Sequence, residues 1–315
     1  MSILNRPYFC DEVAAHSFLE RIVWPDGTEC PHCGVVGTAY KIAANPAKRV
    51  RHGLWKCRDC RKQFTVKVGT VFEHARLPLH KALQAAYLLC SSKKGVSANQ
   101  LSRALEISLK AAWFLSHRVR EAMREMHFAD QLGGEGKIVE ADETYVGGKE
   151  RNKHRSKRNA DHIGGVGKQM VFSLVERGGK VRSMHLPSVS AANLRPILKA
   201  QIDAEKTRLM TDGEGQYRLV APMFKSHETV NHGIGEYVRG DVTTNTIEGY
   251  FSILKRGITG VYHHVSPQHL KRYVAEFDFR YNNRIALGVN DFNRTMTALL
   301  GIKGKRLMYS QTTNN

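Results

Sequence analysis

The sequence has no long apolar run. Nothing approaches the roughly 18 uninterrupted apolar residues of a membrane span, and Met1 to Cys10 hold no apolar block of signal-peptide length. Both absences argue against a membrane-embedded role and make the cytoplasm the expected compartment. Acidic charge is scarce as well: 29 Asp and Glu face 48 Lys and Arg, a net charge of +19. A surplus that large creates a positive field and favours a polyanion, with nucleic acid the commonest such partner. A ribosome-like structural role or an anionic membrane surface are the alternatives. Cysteine is sparse, six in all, and four of the six fall in two C-x-x-C pairs. In a cytosolic protein that spacing points to metal rather than to disulfides. The chain shows no internal repeat. Hydrophobic residues at 42% and charged residues at 24% fit a folded soluble protein, and 315 residues suggest two or three units.

Periodicity divides the chain. Residues 11–23 read as a short amphipathic helix capped by Asp11 and ended by Trp24-Pro25-Asp26-Gly27. The two cysteine knuckles and short β-like runs follow (Val35–Ile42, Arg51–Lys56, Gln63–Val66), giving an N-terminal helix and metal-binding module over residues 1–75. Residues 76–132 read as helical: one helix over 76–92, then two joined by a tight turn, with Ser97 and Ser108 as N-caps. Gly133, Gly134 and Gly136 mark a linker. Residues 137–300 are mixed, so the chain as a whole is a multi-domain α/β protein. Strands are expected over Lys137–Tyr145, Gln169–Glu176, Lys180–Leu186 and Arg208–Thr211, with a weaker one over Thr229–Tyr237. Helices are expected over Ala191–Ile202, Thr246–Arg256 and Gln268–Asn282. Residues 301–315 read as a polar, frayed tail.

Cys30-Pro31-His32-Cys33 and Cys57-Arg58-Asp59-Cys60 are separated by 23 residues. Each knuckle aims two sulfurs at one point, and four thiolates make a closed tetrahedral zinc site. Such a site replaces a core that so small a module cannot build for itself. It leaves no open position for chemistry, so the zinc is structural. Cys10 and Cys90 lack partners at ligand spacing and read as ordinary or buried thiols. The helix pair after Ser97 resembles a helix–turn–helix whose second helix presents Lys110, Trp113 and Arg118 to DNA; an ordinary helical hairpin is the alternative. The loop containing Lys149, Arg151, Lys153, Arg155, Lys157 and Arg158 is dense enough in charge to grip phosphates, the alternative being a solvated charge run.

Three carboxylates stand out by position. Asp142 ends a strand, Asp212 follows the short strand Arg208–Thr211, and Glu248 lies early on a helix. Two strand-end acids and one helical acid can converge on two divalent cations, and such a pair serves in-line phosphoryl displacement. Oxygen ligands and phosphate favour Mg2+ or Mn2+. Lys255 lies seven residues after Glu248, about two helical turns on the same face, where its amine, with Arg256 beside it, can hold a phosphate. For each acid taken singly, a solvated surface residue is the alternative.

At these residues the chain resembles the bacterial insertion-sequence transposases that join an N-terminal zinc ribbon to a DDE catalytic domain. The resemblance runs from Trp24-Pro25-Asp26-Gly27 and the first knuckle through Gly69-Thr70-Val71-Phe72, Leu77-Pro78-Leu79, Ser92-Lys93-Lys94-Gly95 and Ala112-Trp113-Phe114. It continues through Asp142-Glu143-Thr144-Tyr145-Val146-Gly147-Gly148, Thr211-Asp212-Gly213 and the segment Asn245 to Arg256, and closes at Arg280-Tyr281-Asn282-Asn283-Arg284. It covers roughly residues 8 to 285. Asp212 and Glu248 are separated by 35 residues, a spacing typical of many DDE transposases. The resemblance implies a small zinc ribbon and helix–turn–helix followed by an RNase H-like mixed-sheet catalytic domain. It implies Asp142, Asp212 and Glu248 as ligands of Mg2+ or Mn2+, and Lys255 as the family's basic residue after the third acid. Glu140, two residues before Asp142, would share its strand face and support the site. The partners implied are double-stranded DNA, as element terminal inverted repeats and as target, and further copies of the chain when the ends are paired. The compartment implied is the bacterial cytoplasm, at the nucleoid. Two rival readings remain open: a zinc-ribbon and helix–turn–helix DNA-binding regulator without catalysis, and an RNase H-like nuclease that cuts but never joins.

Overall fold

The chain divides into two units in the computed structural model, Met1–Arg124 together with Val289–Asn315, and Glu125–Gly288. The structure describes residues 2–125, 130–148, 150–159, 165–213 and 215–308.

The first unit opens with α1 (Pro7–Cys10) and α2 (Glu12–Val23). Asp11 caps α2, its Oδ1 accepting the Ala14 N–H at 2.7 Å, and Ala15, Leu19, Ile22 and Val23 form the buried face. The ribbon follows as an antiparallel sheet of β1 (Ala39–Lys41), β2 (Trp55–Cys57) and β3 (Gln63–Phe64), in that order. Its core is very small: Cys30, Cys57 and Phe64 are buried, with Trp24 edge-on to both Trp55 and Phe64. So little buried area leaves the cross-link between the knuckles as the main restraint on the module.

Helix α3 (Leu79–Ser91) begins at Pro78, which has no side chain able to cap it. The cap comes from α2 instead: the Glu12 carboxylate accepts the N–H groups of Leu79 at 2.8 Å and His80 at 3.2 Å. Helices α4 (Ala98–Leu105) and α5 (Leu109–Met123) are capped as the sequence predicts, Ser97 accepting from Gln100 and Ser108 from Ala111. The turn between them passes through Glu106 in the left-handed conformation, φ 51°.

The first unit also holds the helix Asp291–Leu300, which packs against α3 and α5. The sequence boundaries assign these residues to the catalytic segment 137–300; the structural division falls at Gly288 instead. Arg294 ties the helix down by donating to the Cys90 carbonyl at 3.0 Å. The tail is not frayed as far as residue 308. Val71 N–H donates to the Ile302 carbonyl, Gly304 N–H to the Gly69 carbonyl, and Lys305 Nζ to the Ala122 carbonyl, with Ile302 and Leu307 buried. Backbone pairing and two apolar anchors outweigh the polar composition that suggested fraying.

The second unit is built on a five-stranded sheet. A two-stranded parallel pair, β4 (Leu132–Gly133) and β8 (Ile202–Asp203), flanks it. The main strands are β5 (Ile138–Val146), β6 (Gln169–Glu176), β7 (Val181–Leu186), β9 (Arg208–Asp212) and β10 (Ser226–Val230), in the order β10-β9-β5-β6-β7. β5, β6 and β7 form an antiparallel meander, whereas β9 pairs parallel with β5 and β10 parallel with β9. Helices α6 (Ala191–Gln201) and α7 (Gly215–Arg218) contribute to one layer, and α8 (Asn245–Gly257) and α9 (Pro267–Asn282) to the other. Three antiparallel strands, then two parallel strands on the far side of the first, with helices on both faces, is the RNase H-like arrangement.

Strand periodicity assigns each side chain to a face. On one face Val139, Ala141, Phe172, Leu174 and Leu209 meet Leu194, Leu198 and Tyr217. On the other, Val146, Val171, Val175 and Val181 meet Ile247, Tyr250, Phe251, Leu254, Leu270 and Phe277. Glu140 and Asp142 alternate with Val139 and Ala141, and therefore belong to the face covered by α8. The weaker strand expected over Thr229–Tyr237 ends at Val230. Asn231 caps a 3-10 turn there, and Gly235 takes a φ of 79°, which stops the strand. A short hairpin, β11 (Val238–Arg239) and β12 (Val242–Thr243), then leads into α8.

Candidate metal centres and nucleic-acid interface

In the ribbon, the sulfurs of Cys30 and Cys60 lie 3.6 Å apart and those of Cys33 and Cys57 3.7 Å apart. All four fall within 4.8 Å of one another. A tetrahedral site with Zn–S bonds of about 2.3 Å sets its sulfurs roughly 3.8 Å apart, so the four thiols fit a structural zinc. Cys10 is exposed and Cys90 buried, and neither forms a disulfide.

The acids are arranged by the sheet register. β5 and β9 run parallel with Glu140 opposite Met210. Two residues beyond that last pair along each strand come Asp142 and Asp212, on the same face by alternation. Burial, and after it the neighbouring charge of Asp212, push the Asp142 carboxyl up to about 8, with Glu143 and Glu248 acting in the same direction. The Glu143 N–H, donating to Asp142 Oδ1 at 2.7 Å, opposes the shift. Glu143 itself turns to the other face of the sheet, where it accepts from the buried Tyr217 hydroxyl at 2.7 Å. Glu248 lies in the first turn of α8, its Oε1 accepting the Thr244 hydroxyl at 3.0 Å and lying 3.4 Å from His232 Nε2. Among the described residues only the cysteine quartet is gathered closely enough to count as a ready metal cluster. The donor set of Asp142, Asp212 and Glu248, three carboxylates, suits a hard divalent cation.

Of the supports of this site, the sequence singles out Glu140 alone. Glu140 is fully buried and pairs with Arg177, Nε to Oε1 at 2.6 Å. Its other oxygen accepts the Ile247 N–H at 2.9 Å. Arg177 reads from the sequence only as part of a Gly-containing turn. His232 carries no sequence signal, and Thr244 lies just before the expected helix start. On α8, Lys255 and Arg256 are both exposed, Arg256 donating to the Ser252 carbonyl.

The residues expected at DNA fare unevenly. Lys110 is exposed in the first turn of α5, and Trp113 is half-buried with its ring 4.3 Å from that of His117. Arg118 departs from expectation. It is 5% exposed and stacks on Phe114, because residues 115–123 of α5 are buried in the helical core of the first unit. Only the N-terminal half of α5 offers a free face. In the basic loop, Arg151, Lys153, Arg155, Lys157 and Arg158 are all exposed. Arg158 folds back to the carbonyls of Arg151 and Lys153, and Lys153 pairs with Glu150. Lys149 lies outside the described residues. No helix among the described residues is long and apolar enough to cross a membrane.

Comparison with known proteins agrees with this architecture. Residues 10–63 match the transposase zinc-ribbon domain, and residues 131–282 match the ISXO2-like transposase domain. A protein of Halobacterium salinarum described as an uncharacterized protein in transposable element ISH50 is 30% identical over 290 residues, covering 86% of this chain and 91% of the relative. That relative is archaeal, so the family likeness does not make the chain bacterial. The crystal structure of the Mos1 strand transfer complex is a distant likeness, with 14% identity, a TM-score of 0.27, and coverage of 70% of this chain and 74% of that one. With a zinc ribbon, an RNase H-like sheet and a relative in a mobile element aligned over most of both chains, the protein belongs to the transposases that carry an ISXO2-like transposase domain.

Proposed function

We propose that this transposase cuts and joins DNA with Asp142, Asp212 and Glu248 as ligands of Mg2+ or Mn2+. The observation that supports the reading is the parallel register of β5 and β9, with Glu140 opposite Met210 two residues before Asp142 and Asp212; the charges of Asp212 and Glu248 both act on Asp142. Cations held there would supply Lewis-acid activation of the phosphodiester and of the attacking oxygen. The chain's own groups do the rest. Thr244 and His232 hold the Glu248 carboxylate in place, and Lys255, exposed on the same helix, holds a phosphate beside the acids. At each element end water adds to phosphorus and the bond to the 3′ oxygen breaks, leaving a 3′-hydroxyl. That hydroxyl then attacks a phosphodiester of target DNA and displaces another 3′ oxygen. No side-chain nucleophile and no covalent protein–DNA link is required.

DNA is gripped by the exposed half of α5, around Lys110 and Trp113, and by the basic loop with Arg151, Lys153, Arg155, Lys157 and Arg158; Lys149 and Arg256 complete the set. The zinc ribbon and the helix–turn–helix recognise the terminal inverted repeats. Holding two ends together calls for at least two copies of the chain. The test is cleavage of labelled DNA bearing the gene-flanking repeats, in Mg2+ or Mn2+. Asp142→Asn, Asp212→Asn and Glu248→Gln should each lose cleavage while still binding the repeats. Cleavage retained by any of the three removes that residue from the site.

A further inference from the structure

Helix α8 carries Glu248 and is capped locally only at Asn245, whose N–H donates to the Thr243 hydroxyl at 3.1 Å. Its N-cap residue, Thr244, makes no capping hydrogen bond; the hydroxyl is turned instead to Glu248 Oε1, to which it donates at 3.0 Å. The orphan N–H of Ile247 is satisfied from the sheet by Glu140 Oε2 at 2.9 Å. Glu140 is fully buried, and a buried carboxylate persists only when paired. Arg177 supplies that pairing, Nε to Glu140 Oε1 at 2.6 Å. The same guanidinium donates to the carbonyls of Asp241 at 2.8 Å and Thr243 at 2.7 Å, the last turn of chain before α8. One ion pair, its carboxylate fully buried and its guanidinium partly exposed, thus fastens both the approach and the first turn of α8 to β5, two residues from Asp142.

We propose that Glu140 and Arg177 form a positioning clamp that sets Glu248 against Asp142 and so fixes the geometry in which the acids take up a divalent cation. A capping role for α8 alone would need neither a charge nor the grip on two upstream carbonyls; a serine or aspartate at the N-cap does that work in most helices. The arrangement instead leaves Thr244 to Glu248 and ties the position of the helix to the strand that bears the first acid. Groups that orient ligands from outside the coordination sphere typically change metal affinity or activity about 10- to 100-fold when replaced.

This rests on Asp142 and Glu248 being cation ligands, and the experiment separates the two ideas. Mn2+ binding to the full-length protein, loaded with zinc and free of DNA, is measured by electron paramagnetic resonance for the parent, Glu248→Gln, Glu140→Gln and Arg177→Lys. Circular dichroism and thermal unfolding establish that each variant is folded. Arg177→Lys keeps a cation beside Glu140 and gives up the fork to the two carbonyls, so it reports the clamp should Glu140→Gln fold poorly. The expected result is at least about tenfold weaker Mn2+ binding in Glu140→Gln and Arg177→Lys. Cleavage by these variants should be partly restored by raising Mn2+. Folded clamp variants that bind Mn2+ like the parent, while Glu248→Gln binds it weakly, overturn the clamp and leave the catalytic reading standing. If Glu248→Gln binds Mn2+ as the parent does, the ligand reading falls and the clamp falls with it.

Discussion

Glu12 shows how one side chain can decide an element it does not belong to. It lies on α2, yet it caps α3 through the N–H groups of Leu79 and His80 and also meets His80 Nδ1 at 2.9 Å. Burial resists its ionisation, but hydrogen bonds from His16, Leu79 and His80 together hold the carboxyl well below the usual range. Its folded pKa is depressed, so its contribution is complete above the unfolded value of about 4.3 and is lost as the pH falls below that. Glu12→Ala should cost about 1 kcal/mol at neutral pH, in line with a lost helix cap. Urea unfolding checks this, and the gap between parent and variant should narrow between pH 7 and pH 3. At the same scale, Asp142, Asp212, Glu248 and Lys255 stand out in the sequence by type and spacing, but Asp142, expected at a strand end, lies in the middle of β5. Arg118 could not be judged, since a basic residue at helical spacing gives no sign of which neighbours will cover it. Glu140 could be placed on its strand face by alternation alone, but its partner Arg177 comes from a turn 37 residues away, a pairing only the folded sheet creates.

Among the elements, the ribbon depends most on something other than its own packing. Cys30, Cys57 and Phe64 are nearly all of its buried core, so the metal carries the fold. One zinc per chain should be found by elemental analysis. Cys57→Ser, or removal of zinc with a strong chelator, should unfold the ribbon, seen as a red shift of Trp24 and Trp55 fluorescence, and should abolish binding to the repeats. The sheet of the second unit, followed by far-ultraviolet circular dichroism, should keep its signal. Helix starts were legible where a serine or aspartate caps them, as at Asp11, Ser97 and Ser108. The start of α8 was also legible, expected at Thr246 and found at Asn245, whereas α3, expected from residue 76, begins at Leu79; the partners that cap the two, Glu140 and Glu12, lie on other elements and left no local signal. The strand expected over Thr229–Tyr237 was displaced because Asn231 and Gly235 turn the chain where the apolar pattern continues.

For the whole molecule, the proposed DNA interface is one of charge. A net charge of +19 and a loop with five described, exposed Lys and Arg side chains make its affinity a function of salt. Replacing Arg151, Arg155 and Lys157 by Gln should lower the slope of log K against log salt by up to about 3, since each phosphate left without its cation removes about 0.9. Filter binding over a range of potassium chloride concentrations measures it, and an unchanged slope removes the loop from the interface. The division of the chain was less legible than its chemistry. Asp291–Leu300 belongs to the first unit, and local pattern carries no record of a segment that returns across so much sequence to pack on α3.

Joining most directly tests the central claim that this fold transfers strands as well as cutting them. Purified zinc-loaded protein is given a labelled element end with a pre-formed 3′-hydroxyl, a circular target DNA and Mg2+ or Mn2+. The predicted result is labelled end covalently joined to target by the parent and by none of Asp142→Asn, Asp212→Asn and Glu248→Gln. Tight binding of the end with no joined product, under conditions that pair the ends, would contradict the account.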